Sequence, residues 1–191
     1  MALPHITNSQ AGTNRWDPVH NCMFEVYFTV PAAIQTEYGA DVALLTEQVQ
    51  SVEGLDGIDK APAVVEQKFM GTTRSALAPK VDTTSLDITI KFALNLRNST
   101  DNFVYKLFRA WNQLGYNINN GQTSTKPVYT ADWIKLSIAN RGNNIIRNIL
   151  LKDVMLTSLS GATGTLDYST TDPMELTVGF RTDHWDDLDA I

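Results

Sequence analysis

Hydrophobic residues in this chain fall mostly at every second position. In MFEVYFTV, Phe24, Val26, Phe28 and Val30 lie on one side, with Glu25 and Thr29 opposite. A period of two marks a strand with one buried face, and Pro31 ends it. The run SLDITIKFALNL is the strongest case. Leu86, Ile88, Ile90, Phe92, Leu94 and Leu96 alternate there with Ser85, Asp87, Thr89, Lys91, Ala93 and Asn95. That regularity predicts a strand of about twelve residues, roughly twice the usual length. VYTADWIKLSIAN alternates through Ile134, Leu136 and Ile138. After the turn RGNN, the stretch IIRNILLKDVMLTSLSG reads as one long strand or two short ones. GTLDYS and MELTVGFRTDHW predict a last hairpin, with Met174, Leu176, Val178 and Phe180 on one face.

The period changes to that of a helix in NSTDNFVYKLFRAWNQLG. Phe103, Val104, Leu107, Phe108, Trp111 and Leu114 make its apolar face. Ser99, Thr100 or Asp101 can cap its start, and Gly115 can end it. GYNINNGQTSTKP after it reads as a polar connector. The stretch 32–48 is compatible with helix or strand, and LTEQVQSVEG is read as strand. AVVEQKFM is a further strand, with Val65 and Phe69 on one face. Strand 64–70, polar loop 71–84 and strand 85–96 together predict one hairpin with a long tip. Residues 1–20 have no clear period and read as an extended arm before a single domain, 21–191. Seven or eight strands and one helix predict a mainly β fold: a barrel or two packed antiparallel sheets, with the helix docked on one side.

Composition narrows the function. With 191 residues, 43% hydrophobic and 19% charged, the chain can bury an ordinary core without a metal or disulfide. Cys22 is the only cysteine, so no internal disulfide or cysteine-rich zinc site is available. The first residues lack a basic segment followed by an apolar core, and no apolar run reaches the length of a membrane helix. The expectation is a soluble protein made in a cytoplasm. A net charge of -6 and a pI near 4.9 oppose binding to a phosphate backbone and suit a surface that nucleic acid slides past.

Candidate chemistry is sparse. The histidines are His5, His20 and His184, the first two in the leader. Asp183 and His184, with Asp186, Asp187 and Asp189 nearby, raise an acid–base pair or a metal site. Neighbours in a strand point to opposite faces, so Asp183 is poorly placed to orient His184. WDDLDAI is expected to form an acidic, solvated tail. Neither GxxxxGK[ST] nor GxGxxG occurs. No catalytic residue, metal or cofactor is assigned, and the rival to that reading is an enzyme built around Asp183 and His184. The long polar hairpin tip and the unpaired arm favour assembly, because such devices add strands across subunits.

Three stretches carry a family resemblance: EQKFMGTTRSALAPKVDTTSLDITIKF, STDNFVYKLFRAWNQLG and LLKDVMLTSLSGATGTLDYSTTDPMELTVGFRTDHW. They resemble the hairpin, the single helix and the closing strands of the tail tube proteins of contractile-tailed bacteriophages and contractile injection systems, over residues 22–187. The resemblance implies a β-barrel subunit with no enzymatic activity and no cofactor. It implies homohexameric rings stacked into a hollow tube, wrapped by a sheath protein and joined to baseplate, initiator and terminator proteins. DNA or an effector would pass through the lumen without specific binding, and the protein would reside in the virion after assembly in a bacterial cytoplasm. By analogy, Lys68, Arg74 and Lys80 at the hairpin would face acidic groups of the next subunit or ring, with Asp186, Asp187 and Asp189 as candidate partners. The haemolysin-coregulated tube proteins of type VI secretion and the tubes of non-contractile tails are the neighbouring alternatives.

Overall fold

The alternating apolar residues meet inside one curled sheet. The computed structural model describes residues 22–58, 64–70, 72–77, 85–96, 101–140, 144–161 and 173–189. In chain order its elements are β1 (Phe24–Phe28), α1 (Ala32–Gln48), β2 (Val49–Glu53), a 3-10 turn (Leu55–Gly57), β3 (Val64–Phe69), β4 (Thr72–Leu77) and β5 (Leu86–Ala93). Then follow α2 (Phe103–Gly115), β6 (Tyr116–Asn117), β7 (Gln122–Thr123), α3 (Lys126–Tyr129), β8 (Thr130–Ala139), β9 (Ile145–Ser160) and β10 (Glu175–Asp189). Six strands pair antiparallel in the order β1-β8-β9-β10-β5-β2 and curl into a nearly closed barrel. The mainly β fold expected from the alternation is therefore what forms, and of the two architectures it allowed, the barrel is the one adopted.

Two of the sheet's irregularities keep its core face intact. At the first, β9 carries one residue more than β10: Gly179 faces Ser158, but Phe180 faces Leu156. Leu156 and Leu159 can then both pack on the core, although they are three apart. The second is a crease shared by three strands. The register sets Asp132, Asp153 and Asp183 side by side, bracketed by Ala131–Val154–Thr182 and Trp133–Lys152–His184. On β8 and β9 the residues flanking that row, Ala131 with Ile134 and Leu151 with Val154, are all buried despite lying three apart. Asp153 takes φ 52°, a left-handed conformation that aspartate tolerates better than a β-branched residue would.

α2 fills the barrel from one side. Phe103, Val104, Leu107, Phe108 and Trp111 are buried, as the helical period predicts. Phe108 lies 4.9 Å from Phe92, 6.0 Å from Phe180 and 6.2 Å from Trp111 between ring centroids. Trp111 also donates its indole N–H to the Tyr129 carbonyl at 2.7 Å, so its one polar atom is satisfied. The cap is Asn102, whose side chain accepts from Tyr105 N at 3.3 Å, rather than Ser99, Thr100 or Asp101. Ser99 and Thr100 lie outside the described residues.

β5 spans eight residues rather than the expected twelve, and the expected polar connector carries β6, β7 and the start of α3. Three further expectations change. The stretch 32–48 is a helix, and the strand predicted over 45–54 is confined to Val49–Glu53. Ile34, Val42 and Leu45 are buried along one side of α1 with Tyr38 half-buried between them, a helical spacing that Asp41 interrupts in the sequence. β1 and β2 are the two edges of the sheet, and α1 spans between them. Thr46 Oγ donates to the Val26 carbonyl at 2.7 Å, tying the helix to β1. Secondly, β3 pairs with β4 rather than β5, so the stretch 71–84 is not simply a loop. Thirdly, WDDLD continues β10 against β9 instead of forming a solvated tail, with Asp186 facing Leu150 and Asp187 facing Ile149. The arm 1–20 and the GTLDYS strand lie outside the described residues.

Candidate assembly interface

β3 and β4 form a two-stranded sheet of their own, paired from Val64–Leu77 to Phe69–Thr72. Each strand is six residues long, which projects the hairpin roughly 20 Å. The reversal between Phe69 and Thr72 is tight, and Met70 at φ 37° is fully exposed there. Register puts Val64, Lys68 and Leu77 on one face, and Val65, Arg74 and Ala76 on the other. All six are exposed, Val64 at 62% and Leu77 at 67%. A lone hairpin with no covered face is marginal in water. Its aliphatic residues gain nothing from folding unless a partner covers them.

Lys68 and Arg74 form no ion pair among the described residues, although Glu66 shares the Lys68 face of β3, and Lys80 lies outside those residues. The acidic candidates are placed differently. Asp187 accepts a bidentate bond from Arg147 at 2.6–3.1 Å, and Asp186 pairs with Lys152 at 2.5 Å. The hydrogen bond from Lys152 holds the Asp186 carboxyl below the usual carboxylate range. Asp189 faces Arg147 in the register. Both carboxylates with described side chains are thus already paired within the chain, on a strand away from the hairpin.

The Asp183–His184 pair does not form a dyad. Asp183 binds Lys126 from α3, and this bond raises the Lys126 pKa, with Asp153 adding to the effect. His184 Nε2 turns instead to Asp186, two residues on, at 3.2 Å. The imidazole is 59% exposed on an open sheet face, and among the described residues no hydroxyl or thiol bonds to it. Nothing there excludes water or positions a nucleophile. Among the described residues there is no group of three or more metal-binding side chains, and no helix is long and apolar enough to cross a membrane.

A groove of about 860 Å³ runs between α1, the end of β1 and the start of β8. Val30, Gly39, Ala43 and Trp133 line it, and Glu47 and Asp132 stand among the lining residues. No lysine or arginine does. Neither carboxylate has an ion-pair partner among the described residues. The hydrophobic pattern gives no sign of this groove, but composition does. From residue 16 to residue 59 the chain has eight acidic residues and no lysine or arginine.

No protein-family model and no curated protein matches this chain. Solved structures do. The chain is similar to the tube-terminating cap of the anti-feeding prophage at 16% identity, over 91% of this chain and 92% of that one, with a TM-score of 0.54. It is similar to a chain of the PVC sheath–tube complex, an extracellular contractile injection system in the extended state, at 15% identity over 98% and 100%, with a TM-score of 0.55. The PVC sheath/tube terminator matches at 16% identity over 90% and 96%, with a TM-score of 0.52. The described architecture is therefore the fold shared by tube-associated proteins of contractile injection systems.

Proposed function

We propose that this chain is a structural subunit of the tube in a contractile tail or tail-like injection machine. The observation that carries the reading is the β3–β4 hairpin, solvent-exposed on both faces yet aliphatic at its base and basic along its length. It belongs to a chain whose fold matches tube and tube-cap proteins over nearly their whole length. In this reading six copies form a ring, rings stack, and each hairpin is covered by a neighbouring copy. A sheath, a baseplate and a terminator engage the finished tube. The outward face of β5, β9 and β10 carries Thr89, Ser158, Ser160 and Thr177. Short hydroxyl side chains suit the wall of a water-filled channel through which DNA or an effector slides. The chain performs no chemistry in this role and needs no cofactor.

Negative-stain electron microscopy across a concentration series tests the proposal. Hollow rings or long hollow tubes are expected. Monomers at every concentration, also with sheath and baseplate proteins added, would overturn it. A second reading, the terminating cap, is favoured by the match to the anti-feeding prophage cap. It predicts single rings that bind tube ends and do not elongate. Stable free rings without tubes or end-binding would instead favour a secreted ring of the haemolysin-coregulated kind.

A further inference from the structure

We propose that the groove between α1 and the start of β8 receives the β3–β4 hairpin of a second copy of this chain. The inference rests on the tube-subunit reading and names the surface that reading leaves unassigned. Two complementarities carry it. The first is apolar: the hairpin exposes Val64, Val65 and Leu77, and the groove offers Ala43 and Trp133, with the buried Val30 also in its lining. Gly39 and Ala43 are small, which lets another backbone approach the helix closely.

The second complementarity is charge. The segment from residue 60 to 80 has four basic residues, Lys60, Lys68, Arg74 and Lys80, against the single acid Glu66. The stretch that supplies most of the groove has only acids. Lys68 and Arg74 on the hairpin, and Glu47 and Asp132 in the groove, lack in-chain partners among the described residues. The other carboxylates on this sheet are largely committed: Glu53 to Lys91, Asp183 to Lys126, Asp186 to Lys152 and Asp187 to Arg147. Unspent charge of each sign therefore lies on these two surfaces. Opposite potentials steer encounter and fix register, and like charges across a contact are strongly disfavoured.

The hairpin and the groove are different parts of the chain, so the contact is head-to-tail. Such a contact propagates and either closes into a ring or extends into a filament. A solitary hairpin, an acidic groove and an assembly that grows are then one device.

Charge exchange tests it. Full-length protein carrying E47K and D132K, protein carrying K68E and R74E, and protein carrying all four are compared by sedimentation and electron microscopy. Each pair alone should raise the concentration needed for assembly by about tenfold or more, and the fourfold variant should recover most of that loss. If the hairpin pair blocks assembly but the groove pair does not, the hairpin binds elsewhere and this inference fails while the tube reading stands. If the hairpin pair leaves assembly unchanged, the hairpin's role in the tube reading falls too. Cross-linking decides the matter without charge changes or polymer. In a C22S background, M70C on one tagged copy should form a disulfide with A43C on another in preference to T157C on the outer sheet face. Equal reaction at both positions would overturn the proposal.

Discussion

Substituting Gly54 by alanine isolates a backbone contact that holds β2 to the barrel. Gly54 follows β2 at φ 91°, and a Cβ added there would stand 2.4 Å from the Asp87 carbonyl oxygen and 3.1 Å from Ile88 Cα. Both are backbone atoms of β5 and cannot rotate away. Gly121 is the matched control, because it also has a positive φ, 67°, but its Cβ would meet nothing within 4 Å. A left-handed alanine costs roughly 1–2 kcal/mol, partly offset by about 0.4–1 kcal/mol from the stiffer unfolded chain. Gly121→Ala should therefore destabilise by about 0.5–1 kcal/mol. Gly54→Ala adds a shift of packed backbone, worth about 1–3 kcal/mol, for a total of about 2–4 kcal/mol. With a urea dependence of about 2 kcal/mol/M, the midpoint should fall by about 1–2 M for Gly54→Ala and by less than about 0.5 M for Gly121→Ala. Urea unfolding followed by circular dichroism reads both. Equal midpoints for the two variants would refute the argument that close approach to β5, rather than backbone conformation, fixes this glycine.

Three further outcomes are expected. Phe108 is fully buried among Phe92, Trp111 and Phe180, so Phe108→Ala should lose about 3–5 kcal/mol in urea unfolding, and Phe108→Leu clearly less. A double-mutant cycle between Arg147 and Asp187 should give a coupling of about 1 kcal/mol, because the contact is bidentate but about a third exposed. Lys152 lowers the Asp186 pKa in the folded chain, so the stabilisation is complete above the ordinary carboxylate pKa and is lost as pH falls through the folded value. Asp186→Asn should remove that acid-side dependence from a melting-temperature profile while leaving the alkaline limb unchanged; an identical acid limb in both proteins would contradict the pairing.

Local pattern accounts for the elements that came out as expected. β5 alternates as its sequence does, with Leu86, Ile88, Ile90 and Phe92 buried, because a strand's side-chain period is fixed by its own backbone. α2 buries the face that its spacing marks, since the helical period is equally local. The separation of Asp183 from His184 followed from the same geometry, and the structure keeps them apart with different partners. α1 was less legible because Asp41 and the non-helical Tyr38 break its apolar face. The groove acids Glu47 and Asp132 look like ordinary surface carboxylates until α1 and β8 are brought together.

What the sequence determined by itself is therefore the kind of chain: a mainly β fold with an aromatic-faced helix packed against its sheet. Those properties depend on period, composition and residue type, all readable within a few positions. The tertiary structure alone decided which strand lies beside which. β1 pairs with β8 across more than a hundred residues, β10 joins β5 to β9, and β3 turns back on β4 instead of meeting β5. Pairing of that kind is set by the sum of contacts over the whole sheet, since many alternatives satisfy each strand's own alternation. The same global choice brought Arg147 and Lys152 within ion-pair distance of Asp187 and Asp186, turning an acidic end into a strand. It also left Lys68 and Arg74 on the hairpin, and Glu47 and Asp132 in the groove, without an ion-pair partner among the described residues.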